Sequence, residues 1–462
     1  MIPIIIFAIS GLVHVYNFGW PQSVVFDEVF YGNFASQYWQ GLYFFDLHPP
    51  FVKLLFAFVG KLLGLDHYNV DWTSIGNTIP IEMVNLRLIP MIAGIILPLI
   101  IYAICRRFEI SKASSFVVAM MVTLESSLIV QSRFILPDII LHTFGFASIL
   151  TYLEYTRRIG IGKTTWFFGI STVFASITLS IKWTGLTYLF MIIVLEMTRQ
   201  YIDFESFKIY FKKTLIFTFK YLFVAIMIYL MLFAMHFSIL TRSGSGDAFM
   251  SQEFQSTLED NHVPTAIATP ITFLDKVMEL NRVMYTSSAG LTATHSNASK
   301  WYTWPIMLRS IFYWQGSSQN NSTIDSYIYL LGNPFVYWFS TLAIFITIIL
   351  GLIKLIFKKF IPTNPDTFVI ITFLIIGFLV NWLPFSFIGR VMFLYHYEAA
   401  LIISIMSVGF LLDSLQPPYK KALIAIIIAL TLIAFIYWAP LTYGLPISQD
   451  KLSQLIWIPS WR

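Results

Sequence analysis

Residues 86–107 read LRLIPMIAGIILPLIIYAICRR. Eighteen uncharged residues lie between Arg87 and Arg106, and a pair of arginines closes the run. A helix crossing the hydrocarbon core of a bilayer needs about 20 predominantly apolar residues. A run apolar on every face, ending in basic residues, therefore reads as a membrane span whose last turn meets the cytoplasmic headgroups. The pattern recurs along the chain. Apolar stretches near 1–18, 86–104, 114–131, 138–155, 165–180, 184–198, 214–237, 334–357, 367–384, 391–412 and 422–439 give about eleven candidate spans at that length. The first begins at Met1 with no charged leader or small-residue cleavage site, and is expected to be a retained helix rather than a signal peptide.

Composition agrees. Of 462 residues, 57% are hydrophobic and only 11% charged, whereas a soluble domain carries about 25% charged residues. Mean hydropathy is +0.73. Disorder and a disulfide-built secreted scaffold are excluded, the latter because Cys105 is the only cysteine. The 44 Phe, 24 Tyr and 13 Trp suit a lipid-facing body with interfacial aromatic belts. The net charge of +5 does not point to nucleic acid, because the basic residues are distributed as topology signals. Fifteen of the 29 Lys and Arg fall in one alternate set of short connections: Arg106, Arg107 and Lys112; Arg157, Arg158 and Lys163; Arg199, Lys208, Lys212 and Lys213; Lys354, Lys358 and Lys359; Lys420 and Lys421. The short connections opposite hold one each, Arg133, Lys182 and Arg390. The basic set is expected in the cytoplasm, with the N-terminus inside and the C-terminus outside.

Two long segments, 19–85 and 238–333, then fall on the outer side, and polar chemistry is expected there. In the first, Ser23-Val-Val-Phe-Asp27-Glu28-Val-Phe-Tyr31-Gly32 sets two adjacent carboxylates among apolar residues. A carboxylate held against apolar surface becomes a better base at neutral pH, although a solvated interfacial pair fits the same string. Next comes Asp46-Leu47-His48-Pro49-Pro50-Phe51-Val52-Lys53-Leu54-Leu55, a stiff turn leading into an apolar helix along the membrane surface. A lone lysine there ordinarily snorkels to water. Arg87, one residue inside a membrane helix, needs a partner or hydration, and is a candidate for a phosphate or a helix-end anchor. Asp138 opens a helix and suits either catalysis or the helix dipole. Ser243-Gly-Ser-Gly offers backbone for close approach to a peptide or phosphate, or a plain linker. No His, Cys and Asp spacing marks a metal site; Asp27 with Asp138 is the weak exception, and no metal or other cofactor is expected. The sequons at Asn297, Asn320 and Asn321 count only in a glycosylating compartment.

The order of these strings resembles the protein O-mannosyltransferases, C-type membrane glycosyltransferases with a polyprenyl-phosphate-mannose donor. The resemblance rests on Phe26-Asp27-Glu28, His48-Pro49-Pro50-x-x-Lys53-Leu54-Leu55, Arg133-x-x-Leu136-x-Asp138 and Lys182-Trp183-x-Gly185. It continues through Ser243 to Gln255, His295 to Pro305, Leu331-Gly332-Asn333-Pro334 and Arg390 to Tyr397, covering about residues 14–412. It implies an all-α polytopic fold forming one membrane-embedded unit over 1–462, with Asp27 as general base and Glu28 positioning the acceptor. Arg87, Arg133, Lys53, Lys182 and Arg390 would meet the donor phosphate. His48, Asp138, Asp247, His295 and His396 would line the substrate site. Transfer would be inverting, from a β-linked donor to an α-linked product on Ser or Thr, in a chain surrounded by lipid and able to pair as a dimer. The membrane would be the plasma membrane in a prokaryote or the endoplasmic reticulum in a eukaryote. Two departures stand out. Only some twenty residues separate Asn261 from Arg282, where eukaryotic members insert the β-trefoil MIR domain, and His14 replaces a usual arginine. The cytoplasmic N-terminal tail of those members is also missing, so the chain looks closer to the prokaryotic branch. A transferase glycosylating lipid and, less well supported, a polytopic transporter are the alternative readings; transporters place such charges mid-membrane on interrupted helices.

Overall fold

A computed structural model describes the chain except for residues 160–163, 203, 265–270, 292–293, 318–323 and 357–364. Lys163, Lys358, Lys359 and the sequons at Asn320 and Asn321 lie outside the described residues. Among the described residues, each of the eleven apolar stretches contains helix. Six helices among the described residues are individually long and apolar enough to cross a membrane: Ile81–Arg107, Phe207–Ile239, Pro334–Ile353, Thr367–Phe387, Leu394–Asp413 and Pro417–Tyr443. Ile2–Val15 and Thr165–Ile181 are apolar but shorter.

The expected span at 114–131 is two helices, Lys112–Thr123 and Ser126–Arg133, bent by 54°. Glu125 makes the break. Its carboxylate caps the second helix by accepting from the Ser127 and Asn333 amides, which pulls the chain out of the first helix's path. Asn333, fully buried, also donates through Nδ2 to the carbonyls of Leu124 and Thr431. The Leu-Gly-Asn-Pro string thus clamps a bend inside the bundle.

The two long segments expected on the outer side carry regular structure among the described residues. The first carries the helices Glu28–Gln40 and Phe51–Leu62. The second carries the helix Phe273–Ala289, opened by a capping box between Thr272 and Asp275. The all-α expectation needs a correction here. Strands β1 (Ile311–Ser317), β2 (Ile324–Leu330) and β3 (Pro446–Ser448) form one antiparallel sheet in the order β1-β2-β3. Ile311 pairs with Leu330, and Ile324 with Ser448. Aromatic and β-branched residues in IFYWQGS and IDSYIYL favour pairing over helix.

The Ser243-Gly-Ser-Gly turn approaches protein rather than a ligand. A Cβ on Gly244 would sit 2.3 Å from the Tyr43 carbonyl oxygen, and one on Gly246 2.4 Å from the Phe44 carbonyl carbon. The Gly246 amide donates to the Tyr43 carbonyl at 3.1 Å, so the glycines dock the second outer segment on the first.

Candidate functional site

A cavity of about 890 Å³ opens where segments 19–85 and 238–333 meet the helix ends. Asp27, the residue before the Glu28–Gln40 helix, reaches it from the first segment together with Asp46 and His48. The Asp138–Arg157 helix supplies Asp138 and His142, and the connection after Ile181 supplies Lys182. Ser288 and His295 come from the second segment, and Arg390, Tyr395 and His396 from the late outer connection. Seven of the twelve residues expected at the site thus line one cavity: Asp27, His48, Asp138, Lys182, His295, Arg390 and His396.

Its charges are not equivalent. Lys182 Nζ donates to both Asp138 oxygens, at 2.7 and 2.9 Å, and lies 5.2 Å from the centre of the Tyr395 ring. Asp46 is held by Lys53 at 2.5 Å. Lys53 also donates to the His48 carbonyl at 2.6 Å. Among the described residues, no ion pair or side-chain hydrogen bond reaches the Asp27 carboxylate. Burial raises its pKa to about 7; Asp138 and Asp46 push the same way, and Lys182 opposes them. Arg390 Nη1 donates to Ser288 Oγ at 2.8 Å and has no carboxylate in ion-pair range among the described residues. Burial, reinforced by Lys182, Lys53 and Arg390, holds the His48 imidazole well below its usual pKa, hence neutral at pH 7. The His396 ring stacks on Tyr395 and Trp304, with centroids 4.5 and 5.8 Å away.

Five expected site residues do not line the cavity, and each has a physical reason. Arg87 and Glu28 are both fully buried. Arg87 Nε and Nη2 donate to the two Glu28 oxygens at 2.8 and 2.7 Å, and Nη1 and Nη2 to the Pro21 and Ser23 carbonyls. Glu28 further accepts from the Val25 and Ile135 amides, which leaves neither group free for substrate. Arg133 donates to the carbonyls of Tyr16, Asn17 and Trp20 and lies over the Tyr443 ring, so it caps the end of the first helix. Lys53 is 2% exposed on the inner face of its helix and does not snorkel. Asp247 closes its own turn, accepting from Ser243 Oγ and the Gly244 amide. Sequence reading passed over Asp46 and Tyr395, although each adjoins a quoted histidine motif. Among the described residues, no group of three or more His, Cys, Asp and Glu side chains could hold a metal ion.

Residues 4–241 match the family model for dolichyl-phosphate-mannose-protein mannosyltransferase, and residues 273–461 that for the C-terminal four-span region of protein O-mannosyltransferase. Dolichyl-phosphate-mannose–protein mannosyltransferase 4 of Schizosaccharomyces pombe is 34% identical over 287 residues, 59% of this chain and 36% of the relative. Protein O-mannosyl-transferase 1 of Danio rerio is 32% identical over 263 residues, 54% of this chain and 36% of the relative. The chain therefore matches about a third of the length of these relatives. Among solved structures, the Saccharomyces cerevisiae Pmt1-Pmt2 complex bound to the sugar donor superposes with a TM-score of 0.91 at 20% identity, over 100% of this chain and 92% of that one. An archaeal oligosaccharyltransferase from Archaeoglobus fulgidus gives 0.55 at 12% identity, over 97% and 56%. Both likenesses concern the fold.

Proposed function

Because the chain belongs to the protein O-mannosyltransferase family, we propose that it moves a mannosyl group from a polyprenyl-phosphate-mannose donor to Ser or Thr hydroxyls of polypeptides. The observation carrying this reading is the sorting of charge in the cavity. Two carboxylates, Asp46 and Asp138, are neutralised by lysines, and one, Asp27, is left to take a proton. Asp27 accepts the hydroxyl proton as the acceptor oxygen bonds to the anomeric carbon. The bond from that carbon to phosphate breaks, and polyprenyl phosphate leaves with the electron pair. Arg390, with no carboxylate in ion-pair range among the described residues, and Lys182, which also lines the cavity, meet the charge that develops on the phosphate. A single available carboxylate suits one inverting displacement. The apolar part of the lining, Tyr285, Leu291, Phe385, Phe387 and Ile388, suits the first isoprene units of the donor.

The site residues of this reading are Asp27 as base, Arg390 and Lys182 at the phosphate, and His48, Asp138, His295 and His396 around the substrates. Glu28, Arg87, Arg133, Lys53 and Asp247 support them from behind. The whole chain acts as one unit, and pairing with a second chain belongs to the same proposal. The test is acceptor competition: purified protein and mannosyl donor are given a Ser/Thr peptide and a polyprenyl-linked sugar together. Mannose on the peptide supports the reading, and mannose on lipid alone replaces it with the lipid-glycosylating alternative.

Two further outcomes are expected. Excess EDTA leaves turnover unchanged, since arginine and lysine meet the phosphate charge; loss of turnover, restored by one divalent ion, would place that ion between Asp27 and Asp138. In a Cys105→Ser background, cysteines at the exposed positions Ser245 and Ser296 react with an impermeant maleimide from the outer side, and one at Ser414 only after permeabilisation. Labelling of 245 and 414 from one side overturns the proposed orientation.

A further inference from the structure

A polar contact that the transfer chemistry leaves unused lies beside the Asp138–Lys182 pair. His142 follows Asp138 by one helical turn, on the same helix face, and also lines the cavity. Its Nδ1 is 2.9 Å from the Tyr188 hydroxyl and its Nε2 3.3 Å from Glu398 Oε2. Tyr188 and Glu398 are fully buried. Among the described residues, His142 Nε2 and both Glu398 oxygens make no well-directed hydrogen bond, and no lysine or arginine pairs with Glu398.

When the buried Tyr188 hydroxyl gives its proton to His142, Nδ1 accepts it. In that tautomer Nε2 carries the N–H, 3.3 Å from Glu398 Oε2, a close contact rather than a well-directed hydrogen bond. Room for the Tyr188 ring is built into the helix, because a Cβ on Gly145 would come within 2.5 Å of it. Burying a carboxylate without a cation opposes folding, and an apolar residue at 398 would serve stability better.

Location supplies the reason to keep it. Glu398 lies behind the cavity lining, directly after the Arg390–Tyr397 connection that supplies Arg390, Tyr395 and His396, while His142 shares its helix with Asp138, which holds Lys182. We propose that Glu398, acting through His142, is a positioning residue that ties the helix carrying Asp138 to the connection carrying Arg390 and so sets the spacing of Lys182 and Arg390 around the leaving phosphate. The inference rests on the transferase reading of the cavity.

The test uses the full chain with Glu398→Gln, Glu398→Leu, His142→Phe and the Leu/Phe double variant, following kcat, donor KM and thermal midpoint. Glu398→Leu and His142→Phe are each expected to lower kcat by about 10- to 100-fold, the scale of a small misplacement of reacting groups. The double variant should lose no more than the worse single one, because the pair acts as a unit. Glu398→Gln, which keeps an oxygen of the same reach toward Nε2, should stay within about threefold of wild type, less than one charge-free hydrogen bond is worth. Should the Leu variant fail to fold, His142→Phe carries the same comparison. Additive losses, a Gln variant as impaired as Leu, or a lowered midpoint with unchanged kcat and KM overturns the proposal. Wild-type protein assayed alongside separates the two claims: an inactive wild type removes the transferase reading, and an active one with unaffected variants removes only the tie.

Discussion

Asp27→Asn is expected to lower mannosyl transfer by about 100-fold or more, the scale of losing a general base, with folding and donor binding largely kept. The amide is near-isosteric, so the cavity keeps its shape, but it cannot take the acceptor's proton. Because no partner holds the Asp27 carboxylate among the described residues, the substitution breaks no ion pair that would complicate the result. The same assignment fixes a pH dependence. The base works ionised, and burial raises its pKa to about 7. Turnover under kcat/KM conditions should therefore rise as pH increases through about 7 and level off above it, which a pH–rate profile measures. A variant retaining more than about a tenth of wild-type turnover would remove Asp27 from the role of base.

Arg87→Met is expected to act on the fold instead. The guanidinium is buried with Glu28 and donates to carbonyls of the chain entering the site. Removing one partner of a buried ion pair costs about 3–5 kcal/mol, because the other charge is left unsolvated. Set against a typical stability of about 5–15 kcal/mol, that loss should appear as poor accumulation and a much lower thermal midpoint. The Arg87→Met/Glu28→Gln double variant should recover part of it, since no bare charge then remains. A well-folded Arg87→Met protein with normal midpoint and lost donor affinity would return Arg87 to the phosphate.

The contrast between these two residues shows what the sequence makes legible. Apolar run length marks the stretches that fold as helix among the described residues, because a helix's solvent preference is written in its own consecutive residues. The bend at Glu125 and the small sheet were not legible, since each depends on a distant partner: Asn333 for the bend, and the pairing of β1 with β2 and β3 for the sheet. The site divides in the same way. Asp27, His48 and His396 stand out by local chemistry and do line the cavity. An intramembrane arginine reads as functional by default, and nothing near Arg87 reveals that Glu28, 59 residues earlier, occupies it. Lys182 and Asp138 are likewise 44 residues apart, so their pairing, and hence which carboxylate is left for chemistry, is a property of the folded chain. Glu398 did leave a trace, as a carboxylate in an otherwise apolar stretch.

The most direct measurement is made on the product. Purified protein is incubated with β-linked polyprenyl-phosphate-mannose and a Ser/Thr peptide, and the peptide is examined by mass spectrometry and by NMR of the anomeric proton. One displacement assisted by Asp27 predicts peptide carrying α-linked mannose on a hydroxyl side chain, and none when Asp27 is Asn. Unmodified peptide alongside hydrolysed donor, or mannose in β linkage, would contradict the account.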